Sequence, residues 1–160
     1  MFRIGLGQDS HRFLINSDKP LILGGVLVEN MPGLAGNSDG DVIIHALCNA
    51  LEQAIGGDSL SVYSDKMCQE GIRDSREYLK VAKRHIEEAG YLINNIGISI
   101  EAQKPKILPI AQDIRSSLAK ILKIKKEQIG INATSGEGLT TFGCGEGIQV
   151  WAVASLIKKV

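Results

Sequence analysis

Asp9-Ser10-His11 places two common zinc-binding residue types two positions apart, directly after the glycine-punctuated run Gly5-Leu6-Gly7-Gln8. If the preceding apolar segment is a strand, its period of two turns both side chains toward one face. A catalytic zinc site takes three protein ligands and leaves a fourth position open. The chain has three histidines in all. His45 follows the turn-to-helix signal Asp39-Gly40-Asp41 and is the preferred third ligand. His85 sits on a helix flank with no ligand spacing around it and reads as a structural or surface histidine. The plainer alternative stays open: Asp9 caps a turn, and His11 and His45 are satisfied histidines. Near the C-terminus, Thr134-Ser135-Gly136-Glu137-Gly138 offers two hydroxyls, flexible backbone and a carboxylate. That set can cradle a phosphate and a divalent cation, although glycine-rich turns between strands are often only turns.

These residues must be positioned by the rest of the chain. Phe2 to Leu6 and Leu21 to Val28 are apolar, partly β-branched and bounded by breakers, and read as strands. Met31 to Ser38 is too rich in Pro, Gly and Asn for regular structure. Asp39 is a candidate N-cap for a helix carrying Val42, Ile43, Leu47, Leu51 and Ile55 on a repeating apolar stripe, closed by Gly56-Gly57. Asp58 to Arg73 lacks a sustained period and reads as a long active loop with limited regular structure. Asp74-Ser75-Arg76-Glu77 starts a second helix, whose stripe of Leu79, Ala82, Ile86 and Ala89 ends at Gly90. Ile96, Ile98 and Ile100 alternate with smaller or polar residues as in a half-buried strand. Pro109 suits the first turn of a third helix, and Ile129 to Ala133 and Ile148 to Ile157 supply the last strands. The expected architecture is α+β, a mixed β-sheet covered on one face by three helices, with residues 1–160 forming one domain.

Composition narrows the function. The 160 residues carry 18 Lys plus Arg against 18 Asp plus Glu, so no net basic field recruits nucleic acid. Cys48, Cys68 and Cys144 are odd in number and lack Cys-x-x-Cys spacing, which suits reduced thiols in a cytoplasm rather than a disulfide framework. The N-terminus lacks the apolar core of a signal peptide, and no run approaches the roughly 20 apolar residues of a membrane span. A soluble cytoplasmic protein without membrane or nucleic-acid partners is expected.

Taken together and in order, these motifs resemble the 2-C-methyl-D-erythritol 2,4-cyclodiphosphate synthase family over essentially the whole chain. The most specific segments are Gly5 to Phe13, Ser38 to Ala46, Asp74-Ser75-Arg76 and Gly143-Cys144-Gly145-Glu146-Gly147. The resemblance implies a homotrimer with active sites between neighbouring subunits and a zinc ion on Asp9, His11 and His45. It implies a second cation, magnesium or manganese, on Glu137. It places cytidine in a pocket from Ala102 through Lys106 to Leu108 and from Ala133 through Thr134 to Ser135. Asp58 would meet the ribose, Ser135 the phosphates, and Ser38 and Asp65 the methylerythritol part. The implied activity is that of a phosphorus–oxygen lyase of isoprenoid precursor synthesis. It converts 4-diphosphocytidyl-2-C-methyl-D-erythritol 2-phosphate to the cyclic diphosphate with release of CMP.

The nucleophile would be the substrate's own 2-phosphate, largely dianionic at neutral pH because its second pKa is about 6. This accords with the absence of a nucleophile–base pair in the chain. Family members commonly have histidine at the position of Asn37, near the diphosphate, and arginine at that of Cys144, at one end of a central cavity of the trimer. Tyr63-Ser64 and Ser59-Leu60 replace a family Phe-Pro and Ile-Gly. Two rival readings remain at this level: a metal-dependent phosphohydrolase, and a non-catalytic trimer that binds metal and nucleotide.

Overall fold

The computed structural model describes residues 1–159. A four-stranded mixed sheet runs in the order β1 (Phe2–Arg12), β6 (Gly147–Lys158), β4 (Tyr91–Glu101), β5 (Ile129–Thr134). The first two pairings are antiparallel and β4–β5 is parallel. A separate hairpin of β2 (Pro20–Leu23) and β3 (Val26–Pro32) stands beside it. Ile96, Ile98 and Ile100 of β4 and Ile148, Val150, Ala152, Ala154 and Leu156 of β6 are buried against a helical layer. That layer holds α1 (Val42–Ala54), α3 (Ser75–Glu88) and α4 (Ala111–Leu122). The opposite face of the sheet leaves Ile4, Leu6, Trp151 and Val153 exposed.

The mixed sheet and the α+β class match the expectation, with four corrections. Leu21 to Val28 is not one strand, because Gly24 and Gly25 adopt left-handed φ of 59° and 77° and turn the chain back on itself. β3 also reaches Pro32, inside the segment expected to be irregular. The polar stretch after Asp58 contains an α-helix, α2 (Ser61–Gln69), so the described residues hold four α-helices rather than three. Its sequence carries little amphipathic signal, and Ser64 is its one buried residue. What fixes it is tertiary: Leu60 enters the core as its amide donates to Asn49 Oδ1 at 2.9 Å. Finally, the cap of α1 is Asp41, not Asp39. Asp41 Oδ1 accepts from the amides of Ile44 and Gly24, and Oδ2 from that of Gly25, which ties the hairpin to the helix.

The contact that matters most for function is α1 on β1. Gly5, Gly7, Asp9 and His11 alternate onto the face that α1 covers. A Cβ on Gly5 would lie 1.9 Å from the Ala50 carbonyl oxygen, and one on Gly7 would lie 2.0 Å from that of Ala46. Only glycine allows the helix backbone to come this close. We expect Gly7→Ala to push α1 outward and destabilise the protein by about 1–3 kcal/mol, read as a lower thermal midpoint.

Asp41 provides a pH test. Burial raises its carboxyl to about 6 despite three backbone donors, with the Asp39 charge adding to the rise. A carboxyl raised in the folded state favours folding most when protonated. Its contribution is therefore complete below about pH 3.8 and lost as pH climbs toward 6. The stability of the wild type relative to Asp41→Asn should fall across that window and level off above it, as measured by denaturant unfolding.

Candidate metal centre

His45 lies one turn into α1, its amide bonded to the Asp41 carbonyl at 3.0 Å, and is nearly buried. Because β1 runs on to Arg12, Asp9 and His11 stand on the strand itself rather than after it. Helix and strand thus bring the three side chains to one point. His11 Nε2 is 2.8 Å and His45 Nδ1 is 3.0 Å from Asp9 Oδ2, and the two ring nitrogens are 3.1 Å apart. The three candidate ligand atoms all fall within 4.8 Å of one another. Burial alone would raise the Asp9 carboxyl, but hydrogen bonds and charge from His11 and His45 hold it well below the usual carboxylate range. It presents an anion to the two rings. Two imidazole nitrogens and one carboxylate oxygen are a donor set that suits a tetrahedral metal such as zinc, with one position left for substrate.

The far side of His45 is also specified. Its Nε2 lies 2.9 Å from Ser75 Oγ and 3.3 Å from Ser38 Oγ. Ser75 Oγ donates to Asp39 Oδ1, and the Ser75 amide donates to Asp39 Oδ2 at 2.9 Å. Since the serine proton goes to Asp39, Ser75 Oγ accepts from Nε2–H of His45. The lone pair of Nδ1 then faces Asp9 and His11, the tautomer a metal ligand needs. Neither Ser75 nor Asp39 was assigned this role from sequence. Both were visible as helix-start residues, but no local signal ties position 39 to position 75.

Around this cluster, a cleft of about 650 Å³ is lined by Lys19, Asn37, Ser38, Asp39, Arg73 and Arg76, among others. An adjoining one of about 480 Å³ is lined by Gly36, Asn37, Asp65, Cys68, Gln69 and Arg73. Ser38, Asn37 and Asp65 therefore come to the neighbourhood of the triad, and Asp58 lies exposed just past α1. His85 is placed elsewhere, its Nδ1 2.8 Å from the buried Glu52, in the structural role expected of it.

The expected nucleotide and magnesium residues form a second group. The Ala102 amide donates to the Thr134 carbonyl at 3.0 Å, which joins the 102–108 segment to the end of β5. Ala102 is buried, while Lys106, Leu108, Ala133, Thr134 and Glu137 are exposed and Ser135 is half-buried. The backbone donors expected of the cradle are partly taken. Thr134 Oγ1 accepts from the Gly136 amide at 3.2 Å, and Ser135 Oγ accepts from that of Glu137 at 3.3 Å. The hydroxyl protons are what remain for an anion. Glu137 sits in the left-handed region at φ 49°, an exposed oxygen donor of the hard type that magnesium prefers.

The two groups share one end of the sheet but not one edge. Asp9 pairs with Val150, Val150 with Ile100 and Ile100 with Ala133, a row that crosses all four strands. Three strand spacings separate the Asp9 and Ala133 positions by about 14 Å.

The sequence profile of the YgbB family matches residues 2–157. A 2-C-methyl-D-erythritol 2,4-cyclodiphosphate synthase of Chlamydia felis is 44% identical over 160 residues, covering 99% of this chain and 90% of that protein. Among solved structures, IspF of Plasmodium falciparum in a CDP complex superposes with a TM-score of 0.88 at 31% identity, covering 99% of this chain and 97% of that one. The bifunctional IspDF of Campylobacter jejuni gives 0.90 at 35% identity, covering 100% of this chain and 43% of that one.

If the Asp39–Ser75 relay orients His45, Ser75→Ala should weaken metal binding by about 10- to 100-fold while helical content is retained. Competition titration with a chromophoric zinc chelator measures this. Unchanged affinity would remove Ser75 from the site.

Proposed function

The chain belongs to the YgbB family, that of the 2-C-methyl-D-erythritol 2,4-cyclodiphosphate synthases, and from that membership we propose that it converts 4-diphosphocytidyl-2-C-methyl-D-erythritol 2-phosphate to the 2,4-cyclodiphosphate with release of CMP. The observation that carries this reading is the convergence of Asp9, His11 and His45 on one point. Residues 1–160 act as one synthase domain in the cytoplasm. No helix among the described residues is long and apolar enough to cross a membrane.

In the proposed reaction an oxygen of the substrate's 2-phosphate attacks the β-phosphorus. One phosphorus–oxygen bond forms, and the bond from the β-phosphorus to the bridging oxygen breaks, so the departing CMP keeps the α-phosphate. No protein nucleophile is required, and the chain's task is to hold and screen a flexible polyanion. Asp9, His11 and His45 would bind zinc, with Ser75 and Asp39 keeping His45 in the ligating tautomer. Glu137 would bind magnesium or manganese. When bound, the two cations would screen phosphate oxygens and stabilise charge on the leaving group. Ser135 and Thr134 would donate hydroxyl protons to the diphosphate, with Lys106 beside them. Ala102, Leu108 and Ala133 would flank the cytosine, and Asp58 would meet the ribose. Ser38, Asn37 and Asp65 would line the methylerythritol and phosphate side. Fixing attacker and phosphorus in line at about 3–3.5 Å can contribute up to about 7–11 kcal/mol.

Two observations support active sites shared between subunits. The triad draws on one edge strand, β1, and the Glu137 turn follows the other, β5, which suits a site that a neighbouring copy completes. The exposed apolar side chains Ile4, Leu6, Trp151 and Val153 give the sheet a surface for another chain to cover. A homotrimer is the assembly proposed, on the resemblance to the family.

Phosphorus NMR of the authentic substrate with zinc and magnesium should show the cyclic diphosphate and CMP. A linear phosphate product would instead make the protein a hydrolase, and binding of CDP without CMP release a non-catalytic trimer. His45→Ala should lose zinc by elemental analysis while the trimer persists in ultracentrifugation. Glu137→Gln should keep its zinc yet lose magnesium-dependent turnover.

A further inference from the structure

The cleft beside the triad carries two cations that make no ion pair among the described residues. Among its charged residues, Arg76 is committed to Asp74 through contacts of 2.6 to 3.0 Å. Asp39 is committed to Ser75 and to the Asp41 amide. Lys19 and Arg73 line the same cleft, and neither has a carboxylate within 4.0 Å among the described residues.

Lys19 is tied by its side chain to the strap at Gly36-Asn37-Ser38, and Arg73 by its backbone to the residue that follows the strap. Lys19 Nζ donates to the Gly36 carbonyl at 3.1 Å, and a Cβ on Gly36 would lie 3.6 Å from Cε1 of His11. At the other end of the strap, Ser38 Oγ is 3.3 Å from His45 Nε2. The Arg73 carbonyl accepts from the Asp39 amide at 2.8 Å, which holds that residue beside the strap. Asn37, in the middle, lines both clefts together with Arg73. Partial burial lowers the Lys19 ammonium below its ordinary value; the Asp39 carboxylate works against this and the like charge of Arg73 adds to it. Both cations line the one cleft, and an anion held between them would offset their like charge.

We propose that Lys19 and Arg73, with the Asn37 amide between them, form a two-point receptor for a phosphomonoester, the attacking 2-phosphate of the substrate. This rests on the cyclodiphosphate synthase reading. The chemistry fits: a phosphomonoester presents several acceptor oxygens and nearly two negative charges, matched by a guanidinium fork and a point-charge ammonium. The receptor lies on the triad's side of the molecule, beside the three residues that would hold zinc, where the attacking group would have to be positioned. Its contacts form in the ground state and persist through attack, so they act on KM more than on kcat.

The test uses the zinc-loaded protein and the variants Arg73→Gln and Lys19→Gln. Each should raise KM about tenfold, as expected for loss of one charge-assisted hydrogen bond, with kcat nearly unchanged and the double variant weaker still. Zinc content and thermal midpoint should match the wild type, and Arg73→Lys should recover part of the loss. Independently of turnover, glycerol 2-phosphate should shift the amide resonances of residues 36–38 in the wild type and lose that binding in the double variant. Equal binding of glycerol 2-phosphate by wild type and double variant, no binding by the wild type, or a KM that ignores both substitutions would each overturn the receptor. Probe binding that depends on Lys19 and Arg73 in a protein that makes no cyclic product would leave the receptor standing and reject the synthase reading.

Discussion

The close approach of α1 to β1 is the constraint on which the site depends. Ligand atoms from a helix and a strand can meet at one carboxylate oxygen only if the two backbones are nearly in contact. Gly5 and Gly7 make this possible, because any Cβ there would collide with α1 carbonyls. The apolar stripe of α1 supplies the force that presses it down, since Val42, Ile43, Ile44, Leu47 and Leu51 are all removed from water. Asp41 then fixes where the helix begins and hence where His45 falls along it. Packing and chemistry are one problem in this part of the molecule.

Much of this was legible in the sequence because it is local. The spacing of Asp9 and His11, the placement of His45 near a helix start and the alternation of Ile96, Ile98 and Ile100 all follow from short-range periodicity. What escaped was set by distant contacts. α2 is held by Leu60 in the core and by Asn49 on another helix, so its own polar sequence gave no warning. Asp39 looked like a helix cap because it is an acid before an apolar stripe. Its carboxylate instead reaches Ser75, 36 residues away, and Asp41 takes the cap. The residues around Thr134 and Glu137 were legible as a turn, but their role as a phosphate site rests on resemblance, since the backbone donors there are already partly bonded within the turn.

On the proposed function the site divides across the sheet, with the triad built on β1 and α1 and the Glu137 turn following β5. Each proposed cation-binding group would then stand on its own rigid elements, and a neighbouring copy would bring complementary halves together. Lys19 and Arg73 would extend the triad half with positive charge that no carboxylate within 4.0 Å pairs among the described residues.

The helix between Ser61 and Gln69 has no side-chain N-cap and only one buried residue. Segments so thinly anchored exchange their amide protons early, well before the global barrier is reached. Asp65 rides on this piece of chain, so the wall it forms is held by fewer core contacts than the floor of strand and helix. On the proposed function, ligand could then pass without rearranging the candidate ligating groups beneath.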